Sequence, residues 1–443
     1  MDTKGFLKKN NLSEGDFVKA NDGKKTLEGN ILPSNTQGIL RLKLSSGYNA
    51  GIQITPSLKI EKTGETKQVG KAKHTVQIEK KGLPKIAILH TGGTIASRVD
   101  YRSGAVFSSF NPQDLLTMFP ELHEIANFSS KLVSNMWSDD LRFAHFEVIA
   151  KAVKSAHEEG AQGVILGMGT DNMAVASAAL AFVLEQCPIP VIFVGAQRSS
   201  DRGSSDAAMN LICAAQFITK SDFAGVAICM HHTTSDTKCA ILPACKTRKL
   251  HSSRRDAFKA VNDTPIALVD YNSRQIEFLK KNYSKKSGAK MVLKPKFEEK
   301  VGLLKIHINM FPEQFSFYRE HKYKGLVIEG TGLGQTPGHD PNELTHIHKK
   351  IFPEIKKLIE SGCVVVMTTQ TIFGRVHMHV YDKATDLVDL GVIPGEDMLA
   401  ETAFVKLAWL LGNHTQKEAA ELVRKNLRGE ISQSTKYEED FTG

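Results

Sequence analysis

The chain has 443 residues, 41% of them hydrophobic and 24% charged, with a formal net charge of +9. That length predicts two or three domains with real apolar cores, and the mild basic excess is compatible with work beside nucleic acid without establishing it. Six cysteines, at 187, 213, 229, 239, 245 and 363, form no CxxC pair, which argues against a zinc site or a disulfide framework and for a reducing cytoplasm. The first residues lack an apolar signal region, and the longest apolar stretch, 173–184, is interrupted by Ser177 and too short to span a bilayer. A cytoplasmic protein is therefore expected.

Residues 1–80 differ from the rest. Short alternating segments at 16–19, 29–32, 38–44 and 51–54 are separated by turn residues such as Asn21-Asp22-Gly23 and Ser45-Ser46-Gly47. This pattern predicts a small antiparallel barrel or sandwich, read here as an SH3-like docking domain without chemistry of its own. Gly23-Lys24-Lys25-Thr26 lacks the upstream glycine of a phosphate loop. Residues 61–82 are charged and free of aromatics, as a linker would be.

From Lys85 onward strands and helices alternate. Strands are expected at 86–90, 163–167, 191–195 and 224–230, and helices at 140–158, 172–185 and 204–218. The alternation predicts a doubly wound, largely parallel sheet. Residues 280–300, with eight lysines among polar neighbours, read as a solvated inter-domain linker. Strands at 325–329 and 363–368, with a helix at 344–359 between them, predict a smaller second α/β unit. A helix at 401–411 follows, then a charged helical tail at 416–427 running into disorder.

Three stretches carry candidate chemistry. The first is Thr91-Gly92-Gly93-Thr94-Ile95-Ala96-Ser97, directly after the apolar run Ile86-Ala87-Ile88-Leu89-His90. Two glycines permit a tight turn and close backbone approach, and open α/β sheets bind ligands where strands end. The second, Gly169-Thr170-Asp171-Asn172-Met173, repeats that arrangement and by itself reads as a helix N-cap. The third is Lys249, within Arg248-Lys249-Leu250-His251-Ser252-Ser253-Arg254-Arg255, where the default is a solvated basic face.

Taken together, these motifs resemble the L-asparaginase/glutaminase family in order and approximate spacing, over about residues 84–412. The resemblance implies a larger doubly wound domain at 81–300, a smaller α/β domain at 301–413 and a tail at 414–443. It implies that Thr94 is the nucleophile and that Thr170, Asp171 and Lys249 complete a Thr-Lys-Asp triad for hydrolysis of a side-chain amide. Tyr101 matches the tyrosine of the flexible lid, and Ser138 and Asp139 match a substrate-binding serine and its polar neighbour. Asp171 or Asp139 can pair with a substrate α-amino group, and backbone amides near Gly93 and Gly169 can receive the developing oxyanion. An alcohol nucleophile needs a base or a preorganised network; whether Lys249 is base or electrostatic anchor stays open. No metal or organic cofactor is required.

The N-terminal barrel, the run Gly195-Ala196-Gln197-Arg198-Ser199-Ser200-Asp201-Arg202, the stretch 252–258, and Gly374-Arg375-Val376 with Gly391-Val392-Ile393-Pro394 resemble one branch more closely: the D subunits of archaeal glutamyl-tRNA(Gln) amidotransferases. That likeness implies a glutaminase passing ammonia to an E subunit, which binds Glu-tRNA(Gln) and uses ATP and Mg. It also implies a homodimer within a heterotetramer. The alternatives are a stand-alone L-asparaginase with an added barrel and a catalytically silent docking scaffold. Many relatives have Thr at Asn172 and His at Met168, and altered ligand contacts are expected there. Gly330-Thr331-Gly332-Leu333-Gly334-Gln335 only partly matches a dinucleotide fingerprint. In the family this loop tends to line a neighbouring subunit's site. His377-Met378-His379 reads as a surface pair on an alternating strand rather than a metal site.

Overall fold

The computed structural model describes residues 3–23, 25–32, 34, 38–44, 49–63, 80–93, 97–99, 106–108, 119–198 and 205–435. At the N-terminus, helix α1 (Thr3–Lys9) precedes strands β1 (Phe17–Asn21), β2 (Thr26–Leu32), β3 (Ile39–Leu44), β4 (Asn49–Gln53) and β5 (Lys59–Lys62). The strands pair antiparallel in the order β4-β3-β2-β1-β5. Alternation puts Val18, Ala20, Leu40 and Leu42 on the inner face, where Phe6 and Leu7 of the unforeseen helix α1 close the core. Most of the expected linker, residues 64–79, lies outside the described residues.

The larger unit begins with β6 (Lys85–His90), the short pair β7 (Ser97–Val99) and β8 (Val106–Ser108), β9 (Asn127–Leu132), helix α2 (Phe143–Glu158) and β10 (Gly163–Gly167). It continues with α3 (Met173–Val183), β11 (Leu184–Gln186), β12 (Pro190–Val194), α4 (Ala207–Lys220), β13 (Gly225–His231) and β14 (Lys238–Pro243). A hairpin of β15 (Thr247–Lys249) and β16 (Phe258–Ala260), then β17 (Ala267–Asp270), β18 (Ile276–Phe278) and β19 (Val292–Leu293), complete it. Eight of these strands form one sheet, β18-β17-β14-β13-β12-β10-β6-β9. From β9 to β13 the pairing is parallel, and β10 and β12 are buried at every position, as strands covered on both faces must be. The edge β14-β17-β18 is antiparallel, an addition to the expected parallel sheet.

The smaller sheet is parallel throughout: β20 (Val301–Lys305), β21 (Gly325–Gly330), β22 (Val364–Thr369) and β23 (Ile393–Pro394). On one face lie helices α5 (Glu313–Glu320), α6 (Ile351–Glu360) and α7 (Asp382–Asp389), contributing Phe315, Ile355 and Leu387 to its core. The other face packs on α8 (Ala400–Asn413), which in turn packs on α3. Val327, Val364 and Val366 thus share one apolar core with Leu180, Phe182, Leu407 and Leu410. Helix α9 (Gln416–Leu422) is the last regular element among the described residues.

Several local expectations are corrected. The helix expected at 140–158 starts at Phe143, because Ser138–Asp140 forms a separate 3-10 turn. The helix expected at 172–185 stops at Val183, and its last residues leave as β11 to pair with β19. Residues 280–300 are therefore no free linker: Trp409 Nε1 donates to the Lys294 carbonyl at 2.8 Å, and Phe297 stacks on Phe143 at 4.8 Å. The helix expected at 344–359 divides into a 3-10 segment, Glu343–Lys350, and α6. His377 and His379 sit in an irregular segment and a turn, not a strand, and both are exposed. The turn after β21 is followed by no helix until residue 343, which removes the remaining likeness to a dinucleotide loop. No helix among the described residues is long and apolar enough to cross a membrane.

Candidate active site

Strand order locates the cleft. The chain runs from β6 to β9 on one side, then crosses to β10, β12 and β13 on the other, so the order reverses between β6 and β10. Neighbouring crossovers diverge there and leave a crevice beyond the carboxyl ends of the strands. The loops leaving β6 and β10 meet in it. Thr91 N–H donates to the Gly167 carbonyl at 3.0 Å. Gly92 and Gly93 have φ of +106° and +88°, and a Cβ on Gly93 would lie 2.3 Å from the Gly169 nitrogen. Only glycine tolerates both that dihedral and that approach. Thr94, the next residue, and Tyr101 lie outside the described residues.

In the second loop, Gly169 faces Ser138, whose Oγ would be 3.0 Å from a Cβ placed there. Thr170 is buried, and its methyl group lies against Gly195. Lys249, at the end of β15, donates from Nζ to Thr170 Oγ1 at 2.9 Å and to Asp171 Oδ1 at 2.7 Å. The lysine side chain is 12% exposed and the aspartate 64% exposed, so solvent screens the pair and its value is positional rather than stabilising. Asn172 completes the cluster. Its Nδ2 donates to the Ser138 carbonyl at 3.2 Å and to Asp139 Oδ1 at 3.1 Å, and its N–H donates to Ser138 Oγ at 3.3 Å.

Helix α3 shows where capping gave way. Its N-cap is Asn172, with no side-chain cap hydrogen bond. Thr170, Asp171 and Asn172 are all residue types that cap well, yet their side chains engage Lys249, Ser138 and Asp139 instead. The capping interpretation of Gly169–Met173 is therefore corrected. Beneath the first loop, burial holds His90 neutral by lowering its pKa to about 4.

The structure thus brings Gly93, Ser138, Asp139, Gly169, Thr170, Asp171 and Lys249 to one crevice. Sequence reasoning treated Asn172 only as a departure from the pattern and did not foresee it bridging Ser138 and Asp139. The signal was present: three cap-forming residues in a row exceed what one helix start can use.

Family models for "Asparaginase, N-terminal" match residues 85–283, for "Glutaminase/Asparaginase C-terminal domain" 300–423, and for "GatD N-terminal domain" 12–63. The chain is 44% identical over 443 residues to the D subunit of glutamyl-tRNA(Gln) amidotransferase from Pyrococcus abyssi, covering 98% of both chains. It is 42% identical over 428 residues to the protein of the same name from Methanococcus maripaludis, covering 96% of this chain and 99% of that one. The chain belongs to the GatD family, the D subunits of glutamyl-tRNA(Gln) amidotransferases. Among solved structures, the thermostable L-asparaginase from Thermococcus kodakarensis superposes with a TM-score of 0.69 and 27% identity, over 79% of this chain and all of that one. L-asparaginase I from Vibrio cholerae gives 0.67 and 25%, with the same coverage. This GatD-family chain is thus an asparaginase-type amidohydrolase carrying an additional N-terminal β unit.

Proposed function

We propose that this chain hydrolyses the side-chain amide of glutamine and supplies the ammonia to a second subunit. In this reading that partner, the E subunit of the amidotransferase, binds Glu-tRNA(Gln) and converts it to Gln-tRNA(Gln) with ATP and Mg. The observation that carries the reading is the contact of Lys249 with both Thr170 and Asp171, one loop away from Gly93 and the residue after it.

Thr94 Oγ is the nucleophile. It forms a bond to the carboxamide carbon, the C–N bond breaks, and ammonia leaves with the proton the hydroxyl gave up. Water then cleaves the glutamyl ester, so that glutamine and water become glutamate and ammonia. Lys249, with a carboxylate at 2.7 Å, acts as an electrostatic anchor that orients the Thr170 hydroxyl toward the reacting centre. Asp171 and Asp139, both exposed at the mouth, pair with the substrate's α-ammonium group. Amides of Gly93 and Gly169 face the oxyanion, and Tyr101 closes the site. No cofactor is needed in this chain, and a homodimer joined to two partners is the expected assembly.

A stand-alone asparaginase is the competing reading, since its structures superpose on most of the chain. The N-terminal five-stranded unit favours the first reading: it is what a free amidohydrolase would not require. The test compares glutamine and asparagine hydrolysis by the purified complex, with and without Glu-tRNA(Gln). Stimulation of glutamine hydrolysis by the tRNA is expected. A Thr94→Ala complex should lose glutamine-supported amidation and keep amidation from ammonium chloride. Equal, tRNA-independent hydrolysis of asparagine would support the stand-alone enzyme.

A further inference from the structure

The charged tail is expected to run into disorder, yet a fully buried ion pair holds it to the body, and a second buried pair within the body accepts one of its amides. Lys406 Nζ pairs with Glu430 at 2.6 Å, both side chains 0% exposed. Glu430 in turn accepts from the amides of Leu427 and Arg428, and Lys406 also donates to the Val423 carbonyl at 2.9 Å. Lys246 Nζ pairs with Asp397 Oδ2 at 2.6 Å and donates to the Asp397 carbonyl at 3.0 Å.

The Lys246–Asp397 contacts lie at the base of the β15–β16 hairpin. Lys246 immediately precedes β15, and Val261, immediately after β16, donates to its carbonyl at 2.7 Å. Asn262 Nδ2 donates to the same Asp397 carbonyl at 3.2 Å, while Asn262 exchanges hydrogen bonds with Gly374. The second carboxylate oxygen of Asp397 accepts the Ser432 amide at 2.9 Å. Arg375 fastens the tail once more, donating to the Ser432 carbonyl at 2.8 Å and Thr435 Oγ1 at 3.1 Å. Asp397 therefore holds both ends of the hairpin, and the tail holds Asp397. The hairpin's outermost paired residue is Lys249, opposite Phe258. The family model for the C-terminal domain ends at residue 423, before Glu430, Ser432 and Thr435.

We propose that residues 430–435 and Asp397 form a positioning clamp that sets β15, and through it the reach of Lys249 to Thr170. This rests on the role given to Lys249 above. A buried pair of this kind adds little net stability but fixes geometry, because any rearrangement leaves a charge unpaired. Misplacing a group by about 1 Å can cost about 100-fold in rate, so loss of one clamp contact is expected to lower kcat about tenfold.

The experiment uses the intact complex. Ser432→Pro removes the amide that Asp397 accepts, whereas Ser432→Ala retains it. Because proline can disturb the local backbone, Lys246→Met combined with Asp397→Leu is a second variant that removes the charges and keeps the volume. Glutamine kcat and KM are measured alongside amide exchange over residues 246–261. Ser432→Pro and the double variant should exchange faster there, with kcat reduced and KM unchanged, and Ser432→Ala should behave as the parent. Unchanged exchange in both variants overturns the clamp. Faster exchange with unchanged kcat overturns its link to the reaction. A Lys249→Met complex with full activity would instead overturn the assignment on which the clamp depends.

Discussion

At the scale of single residues, Thr170 offers the sharpest test of the crevice. Thr170→Val keeps the methyl group that lies against Gly195 and removes the oxygen that Lys249 reaches. Glutamine kcat should fall by about 100-fold or more if the proposed alcohol nucleophile depends on this network, while the melting temperature barely moves. Steady-state kinetics and a thermal melt of the same preparation check both halves. His90 makes a second prediction. Its pKa is about 4 in the folded chain, below the usual 6.5, so between these values the unfolded chain binds a proton that the folded chain does not. Stability is therefore lost as pH falls from 6.5, and the loss is complete near 4. A shift of that size corresponds to about 3 kcal/mol. Urea titrations at pH 7 and pH 4 should show this slope in the parent and a shallower one in His90→Gln.

Elements make the next scale, and here Gly93 carries the prediction. Gly93→Ala would force an L side chain to φ of +88° and drive a methyl group into the Gly169 backbone. The two loops would have to separate, at a cost of about 2 kcal/mol or more, with activity lost before the fold. Denaturant midpoints and glutamine turnover on one sample separate the two effects. Elements also show what was legible. The strands β6, β10 and β12 stood out because their central residues are apolar without interruption and buried on both faces. The antiparallel edge was not read, because β17 and β18 are short and gain their identity only from partners far along the chain. Likewise β11 and β19 exist only as a pair, so a lysine-rich stretch looked like a linker. At the crevice, each loop was legible from its own motif. The bridge made by Asn172 was not, because it depends on where the Ser138–Asp140 turn falls in space.

For the whole molecule, the two sheets of the asparaginase-like body share one apolar core through α3 and α8, whereas the N-terminal strands enclose a separate one. Calorimetry should therefore show one transition for both sheets together and a distinct one for the N-terminal unit. Independent melting of the smaller sheet would contradict the shared core. Charge was the least legible property at this scale. Lys246 and Asp397 are 151 residues apart, and nothing local marks either as buried; the same holds for Lys406 and Glu430. A tail rich in charge reads as solvated until its partners are known.

All six cysteines are free, five of them are buried, and burial pushes the thiol of the part-buried Cys187 up to about 11. Thiolate is the reactive form, so the native background toward alkylating probes is small. A single cysteine introduced at an exposed position would accept a fluorophore or spin label cleanly, without first stripping the natural thiols from the protein.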